Sequence, residues 1–191
     1  MGCWVVGLGE CSIETRLAGT VWIAILIVWM SGVGVWGATD HTGVAFDGSC
    51  VWVADDGSNK IFRINSTTGN MLGQISAPAN DPQGLTWDGT YLWVCDSGTD
   101  KIYRINTTTG HIPHQIPTPH TDCRGLAWDG TSLWVVESVT DTVYKLNPTS
   151  GAVLNSFASP CTGPRGLAFD GAYLWVSEGE SSRTCAGRGK A

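Results

Sequence analysis

Four carboxylates, Asp55, Asp96, Glu137 and Glu178, recur at a constant spacing of 41 residues. A second series, Gln83, Arg124 and Arg165, repeats at the same interval. Guanidinium and carboxylate groups gathered in alternation would orient a polar or anionic ligand through charge-assisted hydrogen bonds, and carboxylate oxygens can hold a divalent cation. These side chains, with His120 just ahead of Arg124, are the candidate ligand-binding set. The plainer reading is architectural: a carboxylate present in every unit binds backbone N–H groups of its own turn, or an arginine of the next unit.

Other reactive residue types are sparse. His111, His114 and His120 cluster in GHIPHQIPTPH, and His-x-x-His with a third histidine is a metal-binding pattern. The stretch also reads as a solvated outer strand and its exit loop, and no metal or other cofactor is expected. The seven cysteines include no C-x-x-C and no zinc-type spacing. Cys123 and Cys161 fall in the same loop of successive units, three positions out of register, where they form either one bridge or two buried thiols. No Ser-His-Asp spacing and no phosphate-cradling glycine loop occurs, so no residue is assigned as catalytic. Asn65-Ser66-Thr67 and Asn106-Thr107-Thr108 match the glycosylation acceptor, but they belong to a repeated turn whose third copy, Asn147-Pro148-Thr149, is disallowed.

The spacing comes from a gapless repeat. Its opening glycine stands at Gly43, Gly84, Gly125 and Gly166, its Asp-Gly turn at Asp47, Asp88, Asp129 and Asp170, and its tryptophan at Trp52, Trp93, Trp134 and Trp175. The second unit shows four short strand signals: GLTW, then YLWVC after Asp88-Gly89, then KIYRI, then a weak strand near Ile112 to Ile116. In YLWVC both faces are apolar, Leu92 and Val94 on one and Tyr91 and Trp93 on the other. Such a strand must lie between two neighbouring sheets. The period and the strand count predict an all-β fold, a partial β-propeller of about three and a half four-stranded blades over residues 41–178, starting near residues 43, 84, 125 and 166. The candidate set then lies near the propeller axis.

The string CRGLAWDG, LWVVES and TVYKLNPTSG resembles NHL-type and YVTN-type propeller repeats. It is also similar to the blades of streptogramin (virginiamycin B) lyases and bacterial glutaminyl cyclases. The resemblance covers residues 43–178 and implies the fold. Through the lyases, which use a histidine and a glutamate with Mg²⁺ near the axis, it draws attention to His120. It implies no single activity, because these families share one blade grammar.

In the fourth unit, the positions matching Ile102, Tyr103 and Arg104 are Thr184, Cys185 and Ala186, which lose the third-strand pattern. The expectation is an array that stops there, an irregular tail over residues 179–191, and outer blade faces left bare. The chain would then be a fragment, or a subunit that completes a ring by self-association. At the other end, residues 1–40 hold an uncharged run from Leu17 to Ala38, preceded by Arg16. It reads as a signal peptide cleaved near Gly37 or Ala38, or as a single N-terminal membrane anchor, the alternative being a buried hydrophobic segment. Either of the first two makes the repeats secreted, periplasmic or cell-surface. A net charge of −6 excludes nucleic acid as a partner. The function expected is an exported binding or scaffold module for an unknown ligand or protein; the alternative is a partial copy of a propeller enzyme of lyase, cyclase or lactonase type.

Overall fold

A computed structural model of the chain describes residues 40–179, together with the backbone of residues 13–15, 23–25 and 184–185. Two compact units are distinguished, Met1–Trp36 and Gly37–Ala191. In the first, β1 (Ile13–Thr15) and β2 (Ile23–Ile25) pair antiparallel. The signal or anchor expected over residues 1–40 otherwise lies outside the described residues, apart from Asp40.

The second unit is built from antiparallel meanders, with no helix among the described residues. Blade 1 is β3 (His41–Phe46), β4 (Cys50–Asp55), β5 (Lys60–Asn65) and β6 (Met71–Ser76). Blade 2 is β7 (Pro82–Trp87), β8 (Leu92–Asp96), β9 (Lys101–Ile105) and β10 (His114–Pro117). Blade 3 is β11 (Cys123–Trp128), β12 (Leu133–Glu137), β13 (Thr142–Leu146) and β14 (Val153–Ala158). Blade 4 is β15 (Pro164–Phe169), β16 (Leu174–Glu178) and β17 (Thr184–Cys185). Strands pair in chain order within each sheet. The fold is an all-β partial propeller.

Two expectations are corrected. The weak fourth strand of blade 2 begins at His114 rather than Ile112. The third strand of blade 4 is not lost: Val176 pairs with Cys185 and Ser177 with Thr184, the register that joins Val94 to Tyr103 and Cys95 to Ile102 one repeat pair earlier. Ladder pairing requires only backbone N–H and C=O groups, so the register outlives the side-chain pattern.

The repeated residues do identifiable work. In every blade the Asp-Gly aspartate accepts two backbone N–H groups of its turn with one oxygen and the indole N–H of its tryptophan with the other. In blade 3, Asp129 takes Thr131 and Ser132 on Oδ1 at 2.9 and 2.7 Å and Trp134 on Oδ2 at 2.8 Å. The same three bonds form at Asp47, Asp88 and Asp170. The following glycine holds φ near +96° at Gly89, a conformation that L side chains rarely adopt. A third-strand cation closes the group: Lys145 lies 3.0 Å from Asp129 and over Trp134, and Arg104 stacks on Tyr91 and Trp93. Burial alone would raise the Asp129 carboxyl, but Lys145 and the turn and indole hydrogen bonds hold it well below the usual range.

The second strand is buried on both sides, as its sequence requires. Leu92 and Val94 pack with Trp52, Ala54 and Ile61 of blade 1, while Trp93 and Cys95 pack with Leu126, Leu133 and Val135 of blade 3. Trp134, Val136 and Val143 then meet Leu174 and Val176 of blade 4. First strands of successive blades touch backbone to backbone. A Cβ on Gly84 would stand 2.6 Å from the Leu126 nitrogen, which accounts for the invariant opening glycine inside this chain.

Candidate functional site

A β-bulge interrupts the first strand of each blade, between Pro82 and Leu85 in blade 2 and between Cys123 and Gly125 in blade 3. Gln83 and Arg124 therefore lie within β7 and β11 rather than in the loops before them. The second-strand carboxylates stand opposite the first residue of each first strand: His41 pairs with Asp55, Pro82 with Asp96, Cys123 with Glu137 and Pro164 with Glu178. The bulge register thus brings both series of candidate residues to the same end of the blades.

Asp55 and Asp96 are turn caps. Asp55 accepts the Asp40 N–H at 3.1 Å, the Ser58 N–H at 2.7 Å and the Ser58 hydroxyl at 2.5 Å. Asp96 accepts the Asp81 N–H at 2.8 Å, the Thr99 N–H at 2.9 Å and the Thr99 hydroxyl at 2.8 Å. Both are fully buried, and these bonds satisfy a charge that would otherwise be costly.

Glu137 occupies the same place in blade 3 and breaks the arrangement. It is 0% exposed, and among the described residues its carboxylate lacks the turn N–H and hydroxyl bonds that Asp55 and Asp96 accept. Thr140, at the position of Ser58 and Thr99, has a buried hydroxyl that is likewise unpartnered. The extra methylene of glutamate carries the carboxylate past the groups that an aspartate would cap. Burial, with the nearby charges of Asp100 and Asp122, pushes the Glu137 carboxyl up to about 8, against only the backbone N–H of His120 favouring its charged form. Glu137 is therefore mostly neutral at pH 7, and it can give or take a proton just above that pH.

Arg124 is engaged on two sides. One terminal nitrogen lies 2.6 Å from Asp122, and the other donates to the Gln83 side-chain oxygen of the preceding blade at 3.2 Å. Gln83 in turn donates to Asp81, and the Ser138 hydroxyl donates to Asp122. Asp122, at φ +67°, adopts a left-handed backbone that Asp tolerates better than most residues. A chain Asp81–Gln83–Arg124–Asp122–Ser138 thus runs across blades 2 and 3, and the carboxylate facing Arg124 is Asp122 rather than Asp96 or Glu137. Arg165 is exposed and Glu178 half-buried.

The histidines stand apart. His111 and His120 are exposed, and His114 lies edge-on to Trp93 at 6.3 Å. Among the described residues no group of three His, Cys, Asp or Glu side chains is arranged to hold a metal ion. An open depression of ≈ 490 Å³ between blades 2 and 3 is lined by Trp93, Arg104, His114 and Trp128, away from the carboxylate series. Cys123 and Cys161 are both buried but belong to different core clusters, so the bridge weighed between them is not formed. The thiol beside Cys123 is that of Cys95. Sequence reasoning passed over both Asp122 and Cys95. Their signals were opposite: Asp122 continues the 41-residue series of Asp40 and Asp81, whereas Cys95 departs from the repeat, standing where other blades have Ala54, Val136 and Ser177.

No family model matches the chain, and no curated protein matches it. Solved structures do. The chain is similar to Myxococcus xanthus glutaminyl cyclase, with a TM-score of 0.62 and 13% identity over 72% of this chain and 67% of that one. It is similar to virginiamycin B lyase from Staphylococcus aureus, with a TM-score of 0.56 and 23% identity over 72% of this chain and 48% of that one. A streptogramin B lyase gives a TM-score of 0.56 and 21% identity over 74% and 49%. The chain spans about half the length of the two lyases. These likenesses establish the propeller fold of the repeats, which agrees with the blades described above.

Proposed function

We propose that the repeats are the binding and scaffold module of an exported protein, and that the free face of blade 4 docks the first blade of a second copy. Trp175 carries this reading. It is 38% exposed, whereas Trp52, Trp93 and Trp134, at the same repeat position, are 2%, 2% and 1% exposed. Each of those three is covered by the next blade. Blade 1 offers the matching half: Val44 is 40% exposed, against 4% for Leu85 and 2% for Leu126 at the same position. The two free faces are thus the halves of an interface that recurs between neighbouring blades, and a second copy carries both. The contact is heterologous, and it closes a ring when the rotation per copy permits. Sedimentation velocity over a wide concentration range tests it. The parent chain assembles with concentration, and Trp175→Ser sediments as a monomer with unchanged β-sheet circular dichroism. A Trp175→Ser chain that assembles like the parent overturns the reading. Export rests on the uncharged run from Leu17 to Ala38, and fusion of residues 1–40 to a reporter active only outside the cytoplasm tests it.

A second reading, a propeller enzyme of lyase, cyclase or lactonase type, is favoured by Glu137. A buried carboxylic acid whose proton is held up to about pH 8 is suited to general acid–base work, with the His120 backbone N–H beside it and the Gln83–Arg124 pair at the same end of the blades. Assay of the chain with a glutaminyl peptide and with virginiamycin B tests this reading. It requires turnover that Glu137→Gln abolishes, and fails if neither compound is consumed.

A further inference from the structure

Two cysteines depart from the repeat, and they meet across one blade interface. Cys95 is the penultimate residue of β8, at a position held by Ala54, Val136 and Ser177 in the other blades. Cys123 opens β11, where blades 2 and 4 have Pro82 and Pro164. Both are 0% exposed and belong to the same core cluster. Their approach follows from the backbone. The Gly84 N–H, freed from the ladder by the bulge in β7, donates to the Cys95 sulfur at 3.2 Å. Gly84 itself lies against Arg124 and Gly125, next to Cys123, so close that a Cβ there would stand 2.8 Å from the Arg124 carbonyl oxygen. The Cys95 thiol is thereby held at the start of β11, beside the Cys123 thiol.

We propose that Cys95 and Cys123 form an inter-blade disulfide that staples blade 2 to blade 3. The bond forms by exchange with a small-molecule disulfide. One cysteine thiolate attacks a sulfur of the oxidant and expels one thiolate from it, giving a mixed disulfide. The second cysteine thiolate then attacks the protein sulfur and expels the other half. In balance, two protein thiols are oxidised to one disulfide, and one small disulfide is reduced to two thiols that carry away both protons. The pair lies out of reach of solvent in the folded blades. The adjoining Cys95 thiol, burial and the carboxylates of Glu137 and Asp96 all push the Cys123 thiol well above its ordinary range. Exchange therefore belongs to folding, before the two blades seal, and the finished bond is shielded from reductants.

The experiment is refolding of the full chain with and without oxidised glutathione, followed by alkylation in denaturant and peptide mapping by mass spectrometry. The expected product is one species joining the peptide that contains Cys95 to the peptide that contains Cys123. It is lighter by two hydrogen atoms than the sum of the free peptides, and reduction separates it. The bridged chain also unfolds at a higher temperature than the reduced one, by roughly 10 °C for a loop of this length in a domain of this size. Cys95→Ser, which introduces the residue that blade 4 has at this position, abolishes the linked species and the gain in unfolding temperature. Recovery of both peptides only in alkylated, unlinked form overturns the proposal, and so does a bridge from Cys123 to Cys161. The mapping needs only the parent chain, so it stands even if a variant fails to fold.

Discussion

Trp134 and Trp175 hold the same place in consecutive blades, and each donates its indole N–H to its turn aspartate at 2.8 Å. Their surroundings differ. Trp134 lies against Leu174 and Val176 of blade 4 and beneath the Lys145 ammonium. Trp175, with the exposed Tyr173 nearby in sequence, faces outward. The intrablade chemistry is thus complete without a neighbour, whereas the apolar half of each blade is written for one. Side chains set the sheet and its turn locally, and burial of the tryptophan face comes only from the next blade.

The largest effect that could break this comparison is truncation of the two tryptophans. Trp134→Ala removes a sealed aromatic and should cost about 3–5 kcal/mol. Trp175→Ala should cost about 1 kcal/mol or less in the isolated monomer. Urea unfolding measures both, and equal losses would show that the two faces are equally covered in solution.

A second pair of changes probes the backbone contact between blades. Gly84→Ala places a methyl group against the Leu126 nitrogen and the Arg124 oxygen, where backbone must give way, and should cost about 1–3 kcal/mol. At Gly166 the nearest obstacle is the Ser177 hydroxyl, the end of a side chain that can rotate, so Gly166→Ala should cost less. The same unfolding experiment ranks the two, and a larger loss at Gly166 would contradict the interior-against-edge account.

A pH-dependent effect distinguishes Asp96 from Glu137. Glu137 has its folded-state carboxyl raised to about 8 from an ordinary 4.5, so between those values the folded chain holds a proton that the unfolded chain releases. Its contribution to stability is full below about pH 4.5 and is lost as pH rises through 8. Glu137→Gln should flatten that decline, and thermal unfolding between pH 5 and pH 9 measures it. Glu137→Asp restores the shorter side chain that caps the turn in blades 1 and 2, and should bring Thr140 back into a hydrogen bond.

Much of the fold was legible because repetition exposes its reasons. The Asp-Gly pair needs its aspartate for two turn N–H groups, and the two-faced apolar pattern of Leu92 to Val94 requires sheets on both sides. The candidate site was legible only in part. The carboxylate column from Asp55 to Glu178 is visible in the spacing, but capping at Asp96 and its failure at Glu137 depend on one methylene set against a particular turn. The ion pair of Arg124 with Asp122, and the meeting of Cys95 with Cys123, depend on the bulge and on the approach of first strands, and a period in the sequence encodes neither. The third strand of blade 4 escaped sequence reasoning for the opposite reason: ladder pairing needs only backbone N–H and C=O groups, which a side-chain pattern does not record.

The most direct test of the open-face account is a photo-crosslink. A photoreactive amino acid in place of Val44, irradiated at assembling concentrations, should join one copy to peptides around Trp175 of another, and Trp175→Ser should abolish that product. Absence of any product between copies, or products that map away from blade 4, would contradict the claim that the two free faces are halves of one repeated interface.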